Sequence, residues 1–209
     1  MRNILIGIIL LAFLSVARGG AYDEILDSAH RSDTAAVVDL LRRGMDVNTA
    51  DSTGTTLLMI AARNGNMELL GFLLENGAGV NRRNQFGDTA TLLAAIKGHL
   101  AALQKLNSHG GALEPAGWTT LHYAVFGQNP DVLAWVIEQK VKLDYRAPNG
   151  QTALMLAAKL GNREFVRLLV DADADMDLAD FEGQTAIGLA RKGGHTEVAA
   201  YLKSVGAVE

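Results

Sequence analysis

Residues 117–124 read Gly-Trp-Thr-Thr-Leu-His-Tyr-Ala, and this stretch is the clearest copy of a pattern that returns along most of the 209-residue chain. Its first glycine belongs to a series whose members are 33, 30, 33 and 33 residues apart. Self-similarity at such a spacing indicates stacked units, none of which buries its apolar face alone. The chain is therefore predicted to be an array of short units. The series consists of Gly54, Gly87, Gly117, Gly150 and Gly183.

Further columns of like residues appear when the units are aligned on that glycine. A threonine follows two residues later, where its hydroxyl is able to cap a helix, and a small alanine follows after seven. A glycine stands eleven residues on in most units, where a positive φ ends one helix and lets a second begin. Each unit is thus predicted to hold two short helices. The columns are Thr56, Thr89, Thr119, Thr152 and Thr185; Ala61, Ala94, Ala124, Ala157 and Ala190; and Gly65, Gly98, Gln128, Gly161 and Gly194.

These columns resemble the ankyrin repeat, most closely at residues 117–124 and at residues 77–81, which read Gly-Ala-Gly-Val-Asn. The resemblance implies an all-α repeat solenoid of about six ankyrin-like helix-turn-helix units joined by hairpin fingers. It covers the whole chain after an N-terminal leader. The implied units are an N-terminal cap at 22–53, repeats at 54–86, 87–116, 117–149 and 150–182, and a C-terminal cap at 183–209.

Several positions depart from that pattern. The proline expected after each threonine is absent, so the φ preset at the helix start is missing. Thr91 stands where a core leucine is expected, and Lys140 and Asp173 replace a helix-ending glycine. These units are expected to be looser than an ideal array.

The finger before Gly117 is shorter than the others. A finger of about six residues joins ankyrin-like units, as at 81–86, whereas only residues 114–116 precede Gly117. The neighbouring segments are expected either to close the gap or to leave a notch beside Trp118.

The first residues predict export. Arg2 gives a positively charged start, and residues 4–16 are almost wholly apolar before small residues follow. This stretch is shorter than the about 20 apolar residues of a membrane span. We interpret residues 1–21 as a signal peptide cleaved after Ala17 or Ala21, the alternative being an uncleaved N-terminal anchor. The predicted location is the bacterial periplasm, without membrane attachment after cleavage.

Composition excludes several classes of function. Loss of Arg2 and Arg18 with the leader leaves a net charge of −6, and nucleic-acid binding needs clustered basic residues. The chain has no cysteine, which removes disulfides, thiol nucleophiles and thiolate metal sites. Neither nucleic acid nor a cofactor is expected as a ligand.

Catalytic and metal sites are not expected either. His122 occupies the histidine position of the repeat, where it is expected to bond neighbouring backbone, and His99 and His195 occupy the loop between helices. A calcium site would need a loop glycine and a distal glutamate, which the series of aspartates at 171–177 lacks. The sequence therefore predicts no catalytic, cofactor-binding or metal-binding residues.

The resemblance implies a binding face made of the finger tips and the exposed side of each first helix. Aromatic residues are concentrated there, and exposed aromatics beside arginine are typical of protein-binding hot spots. The alternatives are that Trp118 fills the notch, that Phe126 packs on the next repeat, and that Tyr145 and Arg146, and the pair Arg82-Arg83, are solvated finger tips. The face also contains Lys159 and Glu182. The candidate protein-binding residues are Arg83, Phe86, Ile96, Trp118, Phe126, Tyr145, Arg146, Leu160 and Phe181.

These observations predict a monomeric periplasmic protein-binding module and not an enzyme. The partner is expected to be a protein of the bacterial envelope. The leading hypothesis is an inhibitor or immunity protein acting on a cell-wall hydrolase or toxin. The alternative is a non-inhibitory accessory or chaperone-like partner of an envelope or oxidative-stress enzyme, and catalysis or small-ligand binding is a remote third.

Overall fold

A computed structural model describes residues 20–208, in which helices follow one another in pairs. This confirms the predicted all-α repeat architecture. Between residues 20 and 208 the extended pairing consists of two isolated bridges, Ala50 with Thr56 and Ala179 with Thr185. The chain forms two compact units, one up to Ala90 and one from Thr91 onward. The helices are α1 (20–30), α2 (Thr34–Arg42), α3 (Leu57–Asn64), α4 (Met67–Glu75), α5 (Ala90–Ile96), α6 (Leu100–Ser108), α7 (Thr120–Gly127), α8 (Pro130–Glu138), α9 (Ala153–Lys159), α10 (Arg163–Asp171), α11 (Ala186–Lys192) and α12 (Thr196–Ser204).

Side-chain caps begin most of the helices. The hydroxyls of Thr56, Thr152 and Thr185 each accept a hydrogen bond from the amide three residues on, at 3.2–3.3 Å, as the sequence predicts. Thr119 differs, because its hydroxyl lies 2.8 Å from the ring nitrogen Nδ1 of His122. Three of the second helices begin in the same way through side-chain amide oxygens. These caps belong to Asn66, Asn129 and Asn162.

The predicted helix-ending glycines adopt the left-handed conformation, with φ between 68° and 78° in the glycines eleven residues into each unit. Four residues other than glycine adopt it as well: Ser32 at 59°, and, at glycine positions of the repeat, Gln128 at 52°, Lys140 at 57° and Asp173 at 68°. A side chain at such a φ approaches the following carbonyl oxygen, which costs free energy. The helix ends are therefore retained in these units despite the substitutions, with local strain.

The core is formed chiefly by the first helix of each pair. Residues 57–62 of α3 are at most 1% exposed, and residues 153–158 of α9 are at most 3% exposed. α10, by contrast, buries Phe165, Val166 and Leu169 and exposes its charged side. These stretches of α3 and α9 are thus apolar and buried all round, as expected when stability comes from stacking.

Two buried threonines weaken this packing. Thr91 and Thr120 are fully buried, and their hydroxyls have no hydrogen-bond partner among the residues described. A buried hydroxyl without a partner loses its hydration and gains nothing in return. The unpaired hydroxyl of Thr91 therefore lies in the unit that the sequence predicts to be looser, and the looseness itself stays a prediction.

The predicted signal peptide lies outside the described residues except for residues 20 and 21, which belong to α1. Within 20–208, no helix has the length and hydrophobicity of a membrane span.

Candidate protein-binding surface

The finger tips are held by an aspartate or asparagine three residues before the leading glycine. Asp180 Oδ1 accepts hydrogen bonds from the amides of Glu182 and Gln184 at 3.0 and 2.9 Å. Asp51 and Asn84 make the same pair of contacts to the amides two and four residues on. A side chain that replaces a backbone acceptor in this way fixes the turn. The tips are therefore ordered by their own sequence.

These hydrogen bonds also set the charge of the finger carboxylates. Burial raises the pKa of Asp180, but hydrogen bonds from Gln184, Gln151 and Glu182 favour the ionised form and outweigh it, so the pKa lies below its ordinary value. The pKa of Asp51 is lowered by the same balance, with hydrogen bonds from Thr53 and Thr55 exceeding the effect of burial. Both turns are thus stabilised in their charged state at neutral pH.

Neighbouring fingers are joined by a second set of carboxylate and amide contacts. Asp144 Oδ1 accepts the amide of Asp175 at 2.9 Å, and Asp177 Oδ1 accepts the amide of Val208 at 2.8 Å. In the first unit Asn48 Oδ1 accepts the amide of Gly79 at 2.8 Å. The acidic series at 171–177 therefore includes one side chain, that of Asp177, that contacts the following segment, and one backbone amide, that of Asp175, that is bound by the preceding one. Within 20–208 no group of three or more His, Asp or Glu is placed to hold a metal ion.

The shortened finger is joined to the following unit through Glu114. The Glu114 carboxylate accepts the amide of Lys142 at 2.8 Å, the same register position that Asp144 and Asp177 serve in the following units. The backbone is joined at the base of the finger as well, because the amide of Thr120 donates to Leu113 O at 3.0 Å. The base of the shortened finger is thus joined both to itself and to the following unit, and the expected closed gap or notch beside Trp118 stays a prediction.

An aromatic pair lies directly after this finger. The ring centroids of Trp118 and Phe126 are 5.4 Å apart and their planes are tilted by 55°. Trp118 also meets His122 edge to face at 5.3 Å. Phe126 remains 40% exposed and Trp118 is half-buried. The pair therefore has one side packed on the core and another side in solvent.

His122 is a buried structural residue, as the sequence indicates. The amide of Thr119 donates to Nδ1 at 3.3 Å, so Nδ1 carries no proton, and Nε2 donates to Gln151 O at 3.1 Å. Burial lowers the pKa of His122 to about 4, although the contact with Gln151 raises it. The ring is neutral at pH 7 and links α7 to the start of the next repeat.

In the first unit, the candidates Arg83 and Phe86 lie on one finger. The amide of Gln85 donates to Thr53 O at 2.8 Å, which pairs this finger with the preceding one. Phe86 is 69% exposed at the tip, and the guanidinium of Arg83 lies beside Gly87. This finger presents an exposed aromatic ring on a fixed backbone.

In the second unit, two candidates join consecutive fingers. The guanidinium of Arg146 donates to the carbonyl oxygens of Ala179 and Gly150. The ring of Phe181 lies against Gly150, where a Cβ atom would come within 2.8 Å of it, yet Phe181 is 72% exposed. Arg146 therefore orders the finger that carries Phe181, in addition to being exposed itself.

The remaining candidates lie at the ends of first helices or beside a finger. Ile96 ends α5 and is half-buried, and its carbonyl oxygen would be 2.6 Å from a Cβ atom at Gly127. Leu160 follows α9 and is 39% exposed, while Tyr145 is half-buried. Leu160 is accordingly the most open of the three.

A groove of about 400 Å³ lies between the fingers and the first helices of the last two repeats. Lys159 and Lys192, which end α9 and α11, contribute ammonium groups, and Asp180 and Glu182 contribute carboxylates from the finger. The sequence places Lys159 and Glu182 on this face but does not single out the others. A signal was present, since Lys192 follows Lys159 by one repeat of 33 residues.

Comparison with known proteins gives the family and one informative neighbour. A family model of ankyrin repeats matches three overlapping segments, 25–112, 58–147 and 127–208. No curated protein matches the chain. Among solved structures, immunity protein Bd3460, in complex with the predatory endopeptidase Bd0816 from Bdellovibrio bacteriovorus, matches with a TM-score of 0.78 and 26% sequence identity. The match covers 87% of this chain and 97% of that chain.

Proposed function

The chain belongs to the ankyrin repeat family, and we propose that it is an inhibitor or immunity protein that binds a cell-wall hydrolase or toxin in the bacterial periplasm. The observation that carries this proposal is the likeness to immunity protein Bd3460, which extends over 97% of that chain at 26% identity. The likeness therefore includes the whole array and not one shared repeat. The neighbour was solved with an endopeptidase, which is the kind of partner that we propose here.

The surface supports binding and not catalysis. Phe86 and Phe181 are 69% and 72% exposed on fingers whose backbones are fixed by hydrogen bonds. Exposed aromatics on ordered segments lose little conformational entropy on binding and often form hot spots. His122 is buried and neutral, and both of its ring nitrogens make hydrogen bonds within the fold, so neither is open to a substrate. The proposed action is to cover the partner's active site.

The location rests on the N-terminal sequence. A charged start followed by an apolar stretch too short to span a bilayer is typical of a cleaved leader. Export would place the chain in the compartment where cell-wall hydrolases act. We expect the exported chain to be a monomer, with the partner completing the complex.

The experiment is capture followed by inhibition. The tagged protein, recovered from a Gram-negative host, is used to isolate partners from envelope extract of its source, and each partner is purified and assayed for hydrolysis of cell walls. We expect one hydrolase whose activity falls to near zero at equimolar inhibitor. Binding without loss of activity would support the accessory role instead, and recovery of no envelope protein would refute the proposal.

A further inference from the structure

We propose that the groove at the C-terminal ends of α9 and α11 receives the carboxylate of an Asp or Glu side chain on a loop of the protein partner. This rests on the proposed function and specifies which part of the partner the last two repeats recognise. The groove lies wholly within the second unit. Its volume of about 400 Å³ lies in the lower part of the range of ligand pockets and has room for a few side chains of one loop.

The first argument is the state of the two lysines. Lys159 is exposed and has no acidic group within 4.0 Å among the residues described. Lys192 contacts Glu182 at 3.9 Å, which is the limit of an ion pair, and both side chains are largely exposed. Such a pair contributes little in water and is readily exchanged. The groove therefore offers two ammonium groups to an incoming carboxylate.

The second argument is that the other acidic residue of the groove is already engaged. Asp180 Oδ1 accepts the amides of Glu182 and Gln184, and Oδ2 accepts the side chain of Gln151 at 3.3 Å. Asp180 is 8% exposed, so it faces a partner much less than the lysines do. Its charge serves the finger turn and also acts on Lys192, so among the residues described Lys159 is the ammonium group of the groove that has no acidic neighbour within 4.0 Å.

The third argument is the position of exposed apolar residues in the chain. Leu160 follows Lys159 directly, and Phe181 lies between Asp180 and Glu182. They are 39% and 72% exposed. A loop that inserts its carboxylate would bring apolar neighbours against them and exclude water, which strengthens the charge pairing. The expected loop therefore carries an acidic residue with an apolar residue beside it.

The lysines also have an ordinary structural role, which the test must distinguish from a role in binding the partner. A basic residue in the last turn of a helix complements the helix dipole. This role predicts that Lys159→Gln lowers thermal stability slightly and leaves binding unchanged. Lys203→Gln, in the last turn of the outer helix α12, is the matched control for charge and helix position.

The test uses a phage library of disulfide-closed random heptapeptide loops, selected on the purified protein at neutral pH. Enriched loops are synthesised, and their dissociation constants are measured with the protein and with each variant. We expect Asp or Glu in the enriched loops, with affinity about tenfold weaker for Lys159→Gln and weaker still for Lys159→Gln with Lys192→Gln. Replacing the loop's acid by its amide should weaken binding to the protein but have no further effect on the double variant.

Enrichment of no loop, enrichment of loops without acidic residues, or equal binding by Lys159→Gln and Lys203→Gln would each overturn the proposal. The outcome is distinct from that of the proposed function. Equal inhibition of a hydrolase by the protein and by Lys159→Gln would support the proposed function and contradict the proposed role of the groove. Selection of acidic loops without inhibition of any hydrolase would support the role of the groove and contradict the proposed function.

Discussion

Acidification should destabilise the protein through His122. Burial lowers the pKa of the folded ring to about 4, whereas an unperturbed ring has a pKa of 6.5. Between these values the unfolded chain binds a proton that the folded chain does not bind. The contribution of the neutral ring to stability is therefore complete above pH 6.5 and is lost as the pH falls towards 4.

The magnitude follows from the difference between the two pKa values. One pKa unit corresponds to about 1.4 kcal/mol, so the shift from 6.5 to about 4 amounts to about 3 kcal/mol below pH 4. About 2 kcal/mol of this should be lost between pH 7.5 and 5. For a chain of this size, that loss lowers the melting temperature by about 4–8 °C.

The assay compares thermal melts of the protein and of His122→Gln by circular dichroism from pH 7.5 to 5. Glutamine retains an amide donor for Gln151 O but does not titrate, so the difference between the two curves reports the ring alone. NMR titration of the His122 ring gives its pKa directly. Parallel curves for the two proteins, or a ring that titrates near pH 6.5, would refute the reasoning.

Four other substitutions have outcomes fixed by the structure. Thr91→Val removes a buried hydroxyl without a partner and should raise the free energy of unfolding in urea by about 1 kcal/mol; destabilisation would mean that the hydroxyl is bonded. Lys140→Gly should also add about 1 kcal/mol, since glycine tolerates its φ of 57°, and a loss would show that the side chain packs. Glu114→Ala should accelerate hydrogen exchange at the amide of Lys142, and unchanged protection would refute its bridging role. Phe181→Ala should weaken partner binding by about 2 kcal/mol without changing the melting temperature. Unchanged partner affinity would show that Phe181 does not belong to the binding site.

The architecture was accessible from the sequence because spacing and capping are local properties. The glycines at 33-residue intervals located the units, and the threonines and glycines within each unit predicted helix starts and ends that the structure confirms at Thr56 and Gly65. Thr119 is the exception. Its hydroxyl contacts His122, because a histidine three residues into the helix offers a ring nitrogen that Met59, Leu92, Met155 and Gly188 do not offer at the same position of their units.

The contacts of the candidate surface were less accessible, since they depend on distances between units. The sequence showed that three residues were missing before Gly117, but not that Glu114 would contact the amide of Lys142 in the following unit. It placed Arg146 at a finger tip, but not its bonds to the next finger. An extended side chain has many possible partners, and only the folded positions of neighbouring fingers select one.

The candidate surface of the second unit is continuous with a buried polar network. Trp118 lies against His122, His122 donates to Gln151 O, and the Gln151 side chain donates to Asp180, which fixes the finger that carries Phe181. A partner that docks on these residues would therefore meet groups already held in place, so little entropy would be lost on binding. The same continuity means that protonation of His122 would disturb the start of this network. Stability should consequently fall as the pH drops below 6.5, whereas partner affinity of the folded protein should weaken only near pH 4, where the folded ring takes up its proton.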